Sequence, residues 1–350
     1  MTTSTTGEPL LLELLEGFMA TQVLVTAHRL DVFGTLAERP RSATELREVL
    51  ALPERSSTIL LDACVALGLL ELDGDSLRVP AALVPVLARG AGQAFSTTRY
   101  LLDYYGEVYG ALDGMDELVR TDGAASRFKL RDYFKDDVSE VAPEVATEYL
   151  RYMDETVAPI AKVVLDTVSF ASSSSLLDLC GGTGTFCEAI VAATPGLRGA
   201  FLDVPACVEL GRERLAARGE LADRITPVAG DVFTTALPAG HDVITICRAA
   251  MDWGDDRIEP LYRRVLRALP PGGRFLVVER MLPERPSPRE RALYLRAVYF
   301  LAKSRTTRYR TPAQHVALLE RAGFSRVEVL EPPRAPYAAF QSMKVIVAVA

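Results

Sequence analysis

Three acids, each standing directly after a short apolar run, are the residues of this 350-residue chain best placed to grip a ligand: Asp178, Asp203 and Asp231. The first leads into a turn, Asp178-Leu-Cys-Gly-Gly-Thr-Gly184, in which Gly181, Gly182 and Gly184 carry no side chain. A glycine turn where a strand gives way to a helix lets a ligand approach the peptide groups and meet the positive helix N-terminus. This is a nucleotide-type arrangement, although a merely tight turn would read alike.

Spacing narrows the ligand. A dinucleotide fingerprint counted from Gly182 finds Gly184 but then Cys187, and no Gly-Lys followed by Ser or Thr makes a P-loop here. An acid ahead of the glycines repels phosphate and can receive a cationic amino group, which points to S-adenosylmethionine, an α-amino acid without phosphate. Asp203 lies 19 positions after Gly184 (203 − 184), where a carboxylate can accept both hydroxyls of a ribose. Asp231 is followed by Val232 and Phe233, suited to an adenine amino group and ring. Any one of these acids could cap a helix instead. Three in succession at strand ends argue for a ligand, because open α/β sheets bind beyond the carboxyl ends of their strands.

The elements that must position these acids follow from the pattern. From Leu176 onward strands and helices alternate, with strands expected at 199–203, 224–229, 241–247 and 274–279 and helices at 185–193, 206–218 and 256–269. Two further helices, 287–303 and 311–322, precede strands at 326–330 and 344–349, which read as an antiparallel hairpin at one edge. The fold class is α/β, a parallel, doubly wound sheet.

The N-terminal third differs. Leu11, Leu14, Leu15, Phe18, Met19 and Val23 recur at helical spacing, a broad apolar face that seeks a partner inside the domain or on a second subunit. Ser42 with Glu45 forms a capping box, a second helix runs over 56–67, and Asp73-Gly-Asp-Ser76 turns a hairpin. Helix, helix and hairpin outline a winged helix. Residues 1–85 hold twelve acids against six Lys or Arg, so this surface is wrong for DNA and dimerisation is the better reading. The expected partition is a mostly α winged-helix dimerisation domain over 1–100, a helical linker with substrate-lining helices over 101–165, and a catalytic domain over 166–350. Tyr100, Tyr104, Tyr105 and Tyr109 share roughly one helical face, a stripe that more often packs a core than lines a pocket.

Composition bounds the rest. A net charge of −7 argues against a general nucleic-acid binder, and five cysteines without a C-x-x-C pair suit a reduced, cytoplasmic chain. Met1 to Gly7 reads as a disordered tail, and the apolar run after it is interrupted by Glu13 and Glu16, so no membrane span is expected. With only His28, His241 and His315, all assigned structural places, a His-based metal site is not expected.

The motifs Asp-Leu-Cys-Gly-Gly-Thr-Gly184, Leu-Asp-Val-Pro205, Gly-Asp-Val-Phe233, Met-Asp-Trp-Gly-Asp-Asp256, Leu-Pro-Pro-Gly-Gly-Arg274 and Val-Val-Glu-Arg-Met-Leu-Pro283 resemble, in order, the S-adenosylmethionine-dependent small-molecule O-methyltransferases of the plant caffeate type. Bacterial members act in antibiotic pathways. The resemblance covers nearly the whole chain and implies a Rossmann-like methyltransferase sheet and a homodimer formed through the winged-helix domain. It assigns the cofactor to Asp178, Gly181, Gly182, Gly184, Asp203, Val204, Asp231 and Val232, with Phe233, Cys247, Arg248 and Trp253 beside them. Tyr104, Tyr149, Met153, Tyr299, Phe300 and Ser304 are the candidate residues for a small aromatic substrate.

Departures from the family pattern matter as much. The resemblance implies a base His just before Asp-Trp, and Met251 stands there. Of two supporting acids Glu279 is present, but Tyr309 replaces the other; Cys247 stands where many members have Lys, and Cys180 replaces the first glycine of the turn. The expected activity is methyl transfer, O-methylation ahead of C-methylation, driven largely by approximation, with Glu279, Asp252 and Tyr309 orienting the acceptor or relaying a proton. The alternatives are a non-methylating reaction that keeps the cofactor, such as hydroxylation, decarboxylation or pericyclic chemistry, and a regulatory winged-helix protein.

Overall fold

The computed structural model describes residues 7–89, 95–126, 143–332 and 342–350. Met1 to Thr6 of the expected tail and 127–142 of the expected linker lie outside them. The chain forms two units, Met1–Tyr109 and Gly110–Ala350.

In the N-terminal unit, α1 (Gly7–Arg29) and α2 (Val32–Glu38) precede a short strand β1 (Arg41–Ser42), α3 (Ala43–Val49) and α4 (Glu54–Ala66). The capping box is formed: Glu45 N–H donates to Ser42 Oγ at 3.2 Å, and Ser42 N–H donates to Glu45 Oε2 at 2.8 Å. The hairpin pairs β2 (Glu71–Asp73) with β3 (Ser76–Arg78), so Asp73 and Ser76, expected in the turn, instead pair with each other at the strand ends across a turn where Gly74 takes φ +61°. The sheet order is β1-β3-β2. Helices α5 (Val84–Leu87) and α6 (Thr97–Ala111) follow. Phe33, Leu46, Leu61, Cys64 and Leu70 fill the core. The first half of α1 does not join it: Leu15 is 66% and Phe18 50% exposed. By length and composition alone this helix could cross a membrane, its stretch Leu10–Arg29 having a mean hydropathy of 1.5.

The C-terminal unit holds α7 (Met115–Arg120), α8 (Pro143–Thr167), β4 (Ser175–Leu179), α9 (Thr185–Ala193), β5 (Arg198–Asp203), α10 (Pro205–Ala216), β6 (Ile225–Ala229) and β7 (Val243–Cys247). Then come α11 (Asp255–Ala268), β8 (Arg274–Arg280), α12 (Arg291–Val298), α13 (Phe300–Lys303), α14 (Pro312–Ala322), β9 (Arg326–Leu330) and β10 (Met343–Val349). The strand order β6-β5-β4-β7-β8-β10-β9 is parallel through β8, and β10 runs antiparallel between β8 and the edge strand β9. Successive strand residues face opposite sides, as a pleat requires. Leu177, Leu179 and Ile244 pack with α11 and α14 on one side, while Leu176, Phe201 and Val243 pack with α8, α9 and α10 on the other. The helix expected over 287–303 is broken. A 3-10 turn capped by Ser287 precedes α12, and the Tyr299 carbonyl then accepts from both Ala302 and Lys303 N–H at 3.0 Å, so the chain tightens before the next loop.

Candidate active site

A cavity of about 410 Å³ opens beyond the carboxyl ends of β4 to β7. Its floor is the glycine turn. Gly182 and Gly184 take φ of +59° and +83°, and Gly184 N-caps α9. A Cβ at Gly181 would stand 2.8 Å from Phe201 Cβ and 2.9 Å from Asp178 Oδ2, and one at Gly184 would stand 2.5 Å from the Phe201 ring, so side chains are barred here. Cys180 nonetheless takes φ +55°, a conformation that costs a non-glycine residue about 1–2 kcal/mol.

The parallel register sets Asp178 beside Thr245, whose Oγ1 donates to Asp178 Oδ1 at 2.7 Å. Asp178 Oδ2 is buried without a protein partner among the described residues. Burial, opposed by the Thr245 bond and assisted by nearby Asp203, pushes the Asp178 carboxyl up to about 7. A buried carboxylate oxygen that lacks a donor, at the edge of a cavity, fits an incoming ammonium group.

Asp203 is built differently. Its oxygens already accept from Gly182 N–H and Val204 N–H, each at 2.7 Å, which brace the turn, while burial raises its pKa. Cys207 also hydrogen-bonds this carboxylate, so of its roughly four lone-pair sites about one remains for a ribose hydroxyl. Asp231 Oδ1 accepts from Phe233 N–H at 2.8 Å, and the Phe233 ring meets Trp253 edge-on with centroids 4.9 Å apart. Arg257 lies 4.0 Å over the same ring. Val204, Val232, Cys247 and Arg248 also line the cavity. Arg248, at φ +58°, is held by Thr156 Oγ1 at 2.7 Å and Met153 Sδ at 3.5 Å. These residues fit S-adenosylmethionine: an orphan carboxylate for its ammonium, an open backbone cradle, a carboxylate for its ribose, and an aromatic corner.

The remaining expected residues divide. Asp252, Tyr149, Met153 and Ser304 line the cavity, whereas Gly184 is packed against Phe201 beneath it. Met251, Tyr299, Phe300 and Tyr309 are absent from the lining and form an apolar cluster with Leu293, in which the Phe300 and Tyr309 rings meet at 4.9 Å. Burial raises the Tyr309 hydroxyl. Glu279 is also absent from the lining: Oε1 accepts from Arg280 N–H at 3.0 Å, Oε2 has no partner among the described residues, and burial pushes its carboxyl up to about 7. Tyr104 belongs to the N-terminal unit, where it stacks on Tyr100 at 6.1 Å. His315 is fully buried in α14 beside Tyr262, and burial pulls it down to about 3.

Several site residues carry no local signal. Asp154 of α8 accepts from Thr183 and Thr185, pinning the turn to that helix at 2.7 and 2.5 Å. Lys303 Nζ contacts Asp252 Oδ1 at 2.5 Å across 51 residues of sequence. Arg310, fully buried, donates to the Ala250 and Trp253 carbonyls at 2.9 and 2.7 Å and to Asp255, fixing the loop that carries Met251 and Asp252. The partners of Arg310 lie 55 to 60 residues away in sequence, beyond α11, β8, α12 and α13. No cluster of three or more potential metal ligands is present among the described residues.

Comparison with known proteins agrees with this geometry. An O-methyltransferase domain matches residues 132–325, and an O-methyltransferase dimerisation domain matches residues 12–80. The chain is 31% identical over 335 residues to the demethylspheroidene O-methyltransferase of Cereibacter sphaeroides, covering 94% of this chain and 84% of that one. It is 30% identical over 318 residues to the mitomycin biosynthesis 6-O-methyltransferase of Streptomyces lavendulae, covering 90% and 88%. The solved structure of PigF with SAH shares the fold, with a TM-score of 0.81, 23% identity, and coverage of 99% of this chain and 100% of that one. The chain belongs to the O-methyltransferase family that carries its own dimerisation domain, and it is a methyltransferase whose cofactor is S-adenosyl-L-methionine.

Proposed function

We propose that this methyltransferase acts on the oxygen of a small aromatic acceptor that is already acidic, and that it works by holding that oxygen in line rather than by deprotonating it with a dedicated base. The observation that carries the proposal is the surroundings of Met251: it packs against the Leu293, Phe300 and Tyr309 cluster, and Glu279 does not line the cavity. Bound S-adenosylmethionine supplies a methyl group on a positively charged sulfur, ready for displacement. Asp178 holds the ammonium end, Asp203 the ribose and Asp231 with Phe233 the adenine, which fixes where the methyl group must point. The acceptor enters beside Asp252, Met153 and Ser304.

The energetics permit this. A phenol of pKa about 10 is ionised to roughly one part in a thousand at pH 7, a deficit of about 4 kcal/mol. Proximity supplies about 7–11 kcal/mol. An acceptor with a lower pKa needs still less help. The exposed apolar face of α1 and the dimerisation-domain match support a homodimer, and five free cysteines support a reducing compartment such as the cytoplasm.

The test is turnover with methyl-labelled cofactor and a panel of phenols graded in acidity, together with aromatic carboxylic acids. Label on oxygen, with rates that rise as acceptor pKa falls, is the expected result. Label on carbon or nitrogen only, or none across the panel, would overturn the proposal.

A further inference from the structure

We infer that Lys303 binds the ionised oxygen of the acceptor, with Asp252 as the residue that positions it. The inference rests on the acidic-acceptor reading above and names the group that selects such an acceptor. Lys303 ends α13, its side chain is 4% exposed, and it lines the cavity together with Asp252, which is 12% exposed. Taking an ammonium this far out of water is costly unless anionic groups meet it. Asp252 is one, at 2.5 Å. An ammonium carries three N–H donors, so an ion pair to one carboxylate is compatible with a further bond to a ligand oxygen.

The surrounding loop is tied down for such a role. Thr306 Oγ1 donates to the Asp252 carbonyl at 3.1 Å, and Ser304 Oγ lies 3.0 Å from Thr306 Oγ1 and accepts from Thr306 N–H at 3.1 Å. Lys303 and Asp252 are thus joined by side chain and by backbone, which fixes the ammonium on a short tether. The strand-end acids Asp178, Asp203 and Asp231 serve a cationic cofactor, whereas Lys303, the last residue of α13, and Arg305, just after it, line the cavity beside Asp252.

The chemistry balances without a histidine. The acceptor hydroxyl loses its proton to water, favoured by the ammonium that stabilises the oxyanion. The oxygen lone pair then forms the new O–C bond while the C–S bond breaks and its electron pair returns to sulfur. No proton passes to or from Lys303. Its part is to lower the acceptor's pKa and to aim the oxygen, the two tasks that Met251 cannot perform.

The test uses full-length protein loaded with S-adenosylhomocysteine and a series of ring-substituted nitrophenols, whose visible absorption reports ionisation directly. Wild type should bind them with the apparent pKa of the phenol lowered by about one unit or more, which is tenfold in the ionisation equilibrium. Lys303→Met should abolish that shift and weaken binding about ten- to a hundredfold, the range expected for one charged hydrogen bond, while its affinity for S-adenosylmethionine stays near wild type. Lys303→Arg should recover most of the shift. Asp252→Asn should keep the shift but slow methyl transfer, because the phenolate oxygen still meets Lys303 while the carboxylate that aims that side chain is gone. A wild-type protein that leaves every nitrophenol unbound or unshifted, or a Lys303→Met variant that shifts them equally, overturns the assignment. A Lys303-dependent shift without labelled product from any acidic phenol would leave the assignment standing and remove the proposed reaction; labelled product with no dependence on Lys303 would do the reverse.

Discussion

Replacing Asp178 with Asn separates what this carboxylate costs the fold from what it contributes to cofactor binding. Asp178 is 1% exposed, one of its oxygens has no partner among the described residues, and its carboxyl is pushed from 3.8 to about 7. An acid whose folded pKa exceeds its unfolded pKa keeps a proton in the fold that the unfolded chain has released. Its stability contribution is therefore fully present below the unfolded value and is lost as pH rises through about 7. Roughly three pKa units correspond to about 4 kcal/mol. Asn cannot ionise, so the cofactor-free Asp178→Asn protein should lack this fall. Against that gain stands a buried amide N–H without an acceptor, which costs about 1–3 kcal/mol. The net expectation is a cofactor-free variant about equal to wild type near pH 5 and about 1–3 kcal/mol more stable near pH 8. Glu279, also raised to about 7, is common to both proteins and cancels.

Cofactor binding should move the other way. The variant loses a charge-assisted bond to the ammonium and should bind S-adenosylmethionine about ten- to a hundredfold more weakly. Urea unfolding midpoints across this pH range, with and without cofactor, and calorimetric titration measure both halves. Excess cofactor should narrow or close the gap near pH 8, since a hundredfold excess over the wild-type Kd stabilises wild type by about 2.7 kcal/mol and the weaker-binding variant by only about 0.4–1.4 kcal/mol. Equal cofactor affinity in the two proteins, or parallel pH profiles without cofactor, would refute the reasoning.

Other perturbations address other parts of the molecule. Met251→His should leave turnover of weakly acidic phenols at neutral pH within a few-fold of wild type, because position 251 packs into the Leu293, Phe300 and Tyr309 cluster and not the cavity lining; a gain of about tenfold or more on such phenols would mean that this position reaches the acceptor as a base. Gly184→Ala combines φ +83° with a methyl 2.5 Å from the Phe201 ring, and chemical denaturation should report at least about 2 kcal/mol of destabilisation. In the N-terminal unit, Leu15→Glu with Phe18→Glu changes two exposed side chains of α1. If that face holds a second copy, sedimentation should show monomer where wild type is dimer, with helical content retained.

Much of the cofactor side was legible because its parts are local. An apolar run that ends in an acid and a glycine turn states strand, carboxylate and helix start within about ten residues, and the same grammar recurs at Asp203 and Asp231. Ser42 and Glu45, three residues apart, wrote the start of α3 in the same way. Boundaries moved where a turn set the register, as at Asp73 and Ser76, and the 287–303 segment broke where backbone hydrogen bonding tightened at Tyr299.

What the chain alone determined, then, is the alternation of elements, the order of the acids, and the substitution of Met for a base at position 251, since each depends on neighbours along the backbone. The tertiary structure decided which of those groups meet. It set Thr245 against one oxygen of Asp178 and left the other without a partner among the described residues, packed half-buried Met251 with buried Tyr309 in an apolar cluster outside the cavity lining, and brought Lys303 to Asp252. Pairings between residues far apart in sequence are set by how the sheet and its helices pack, and no periodicity or spacing encodes them.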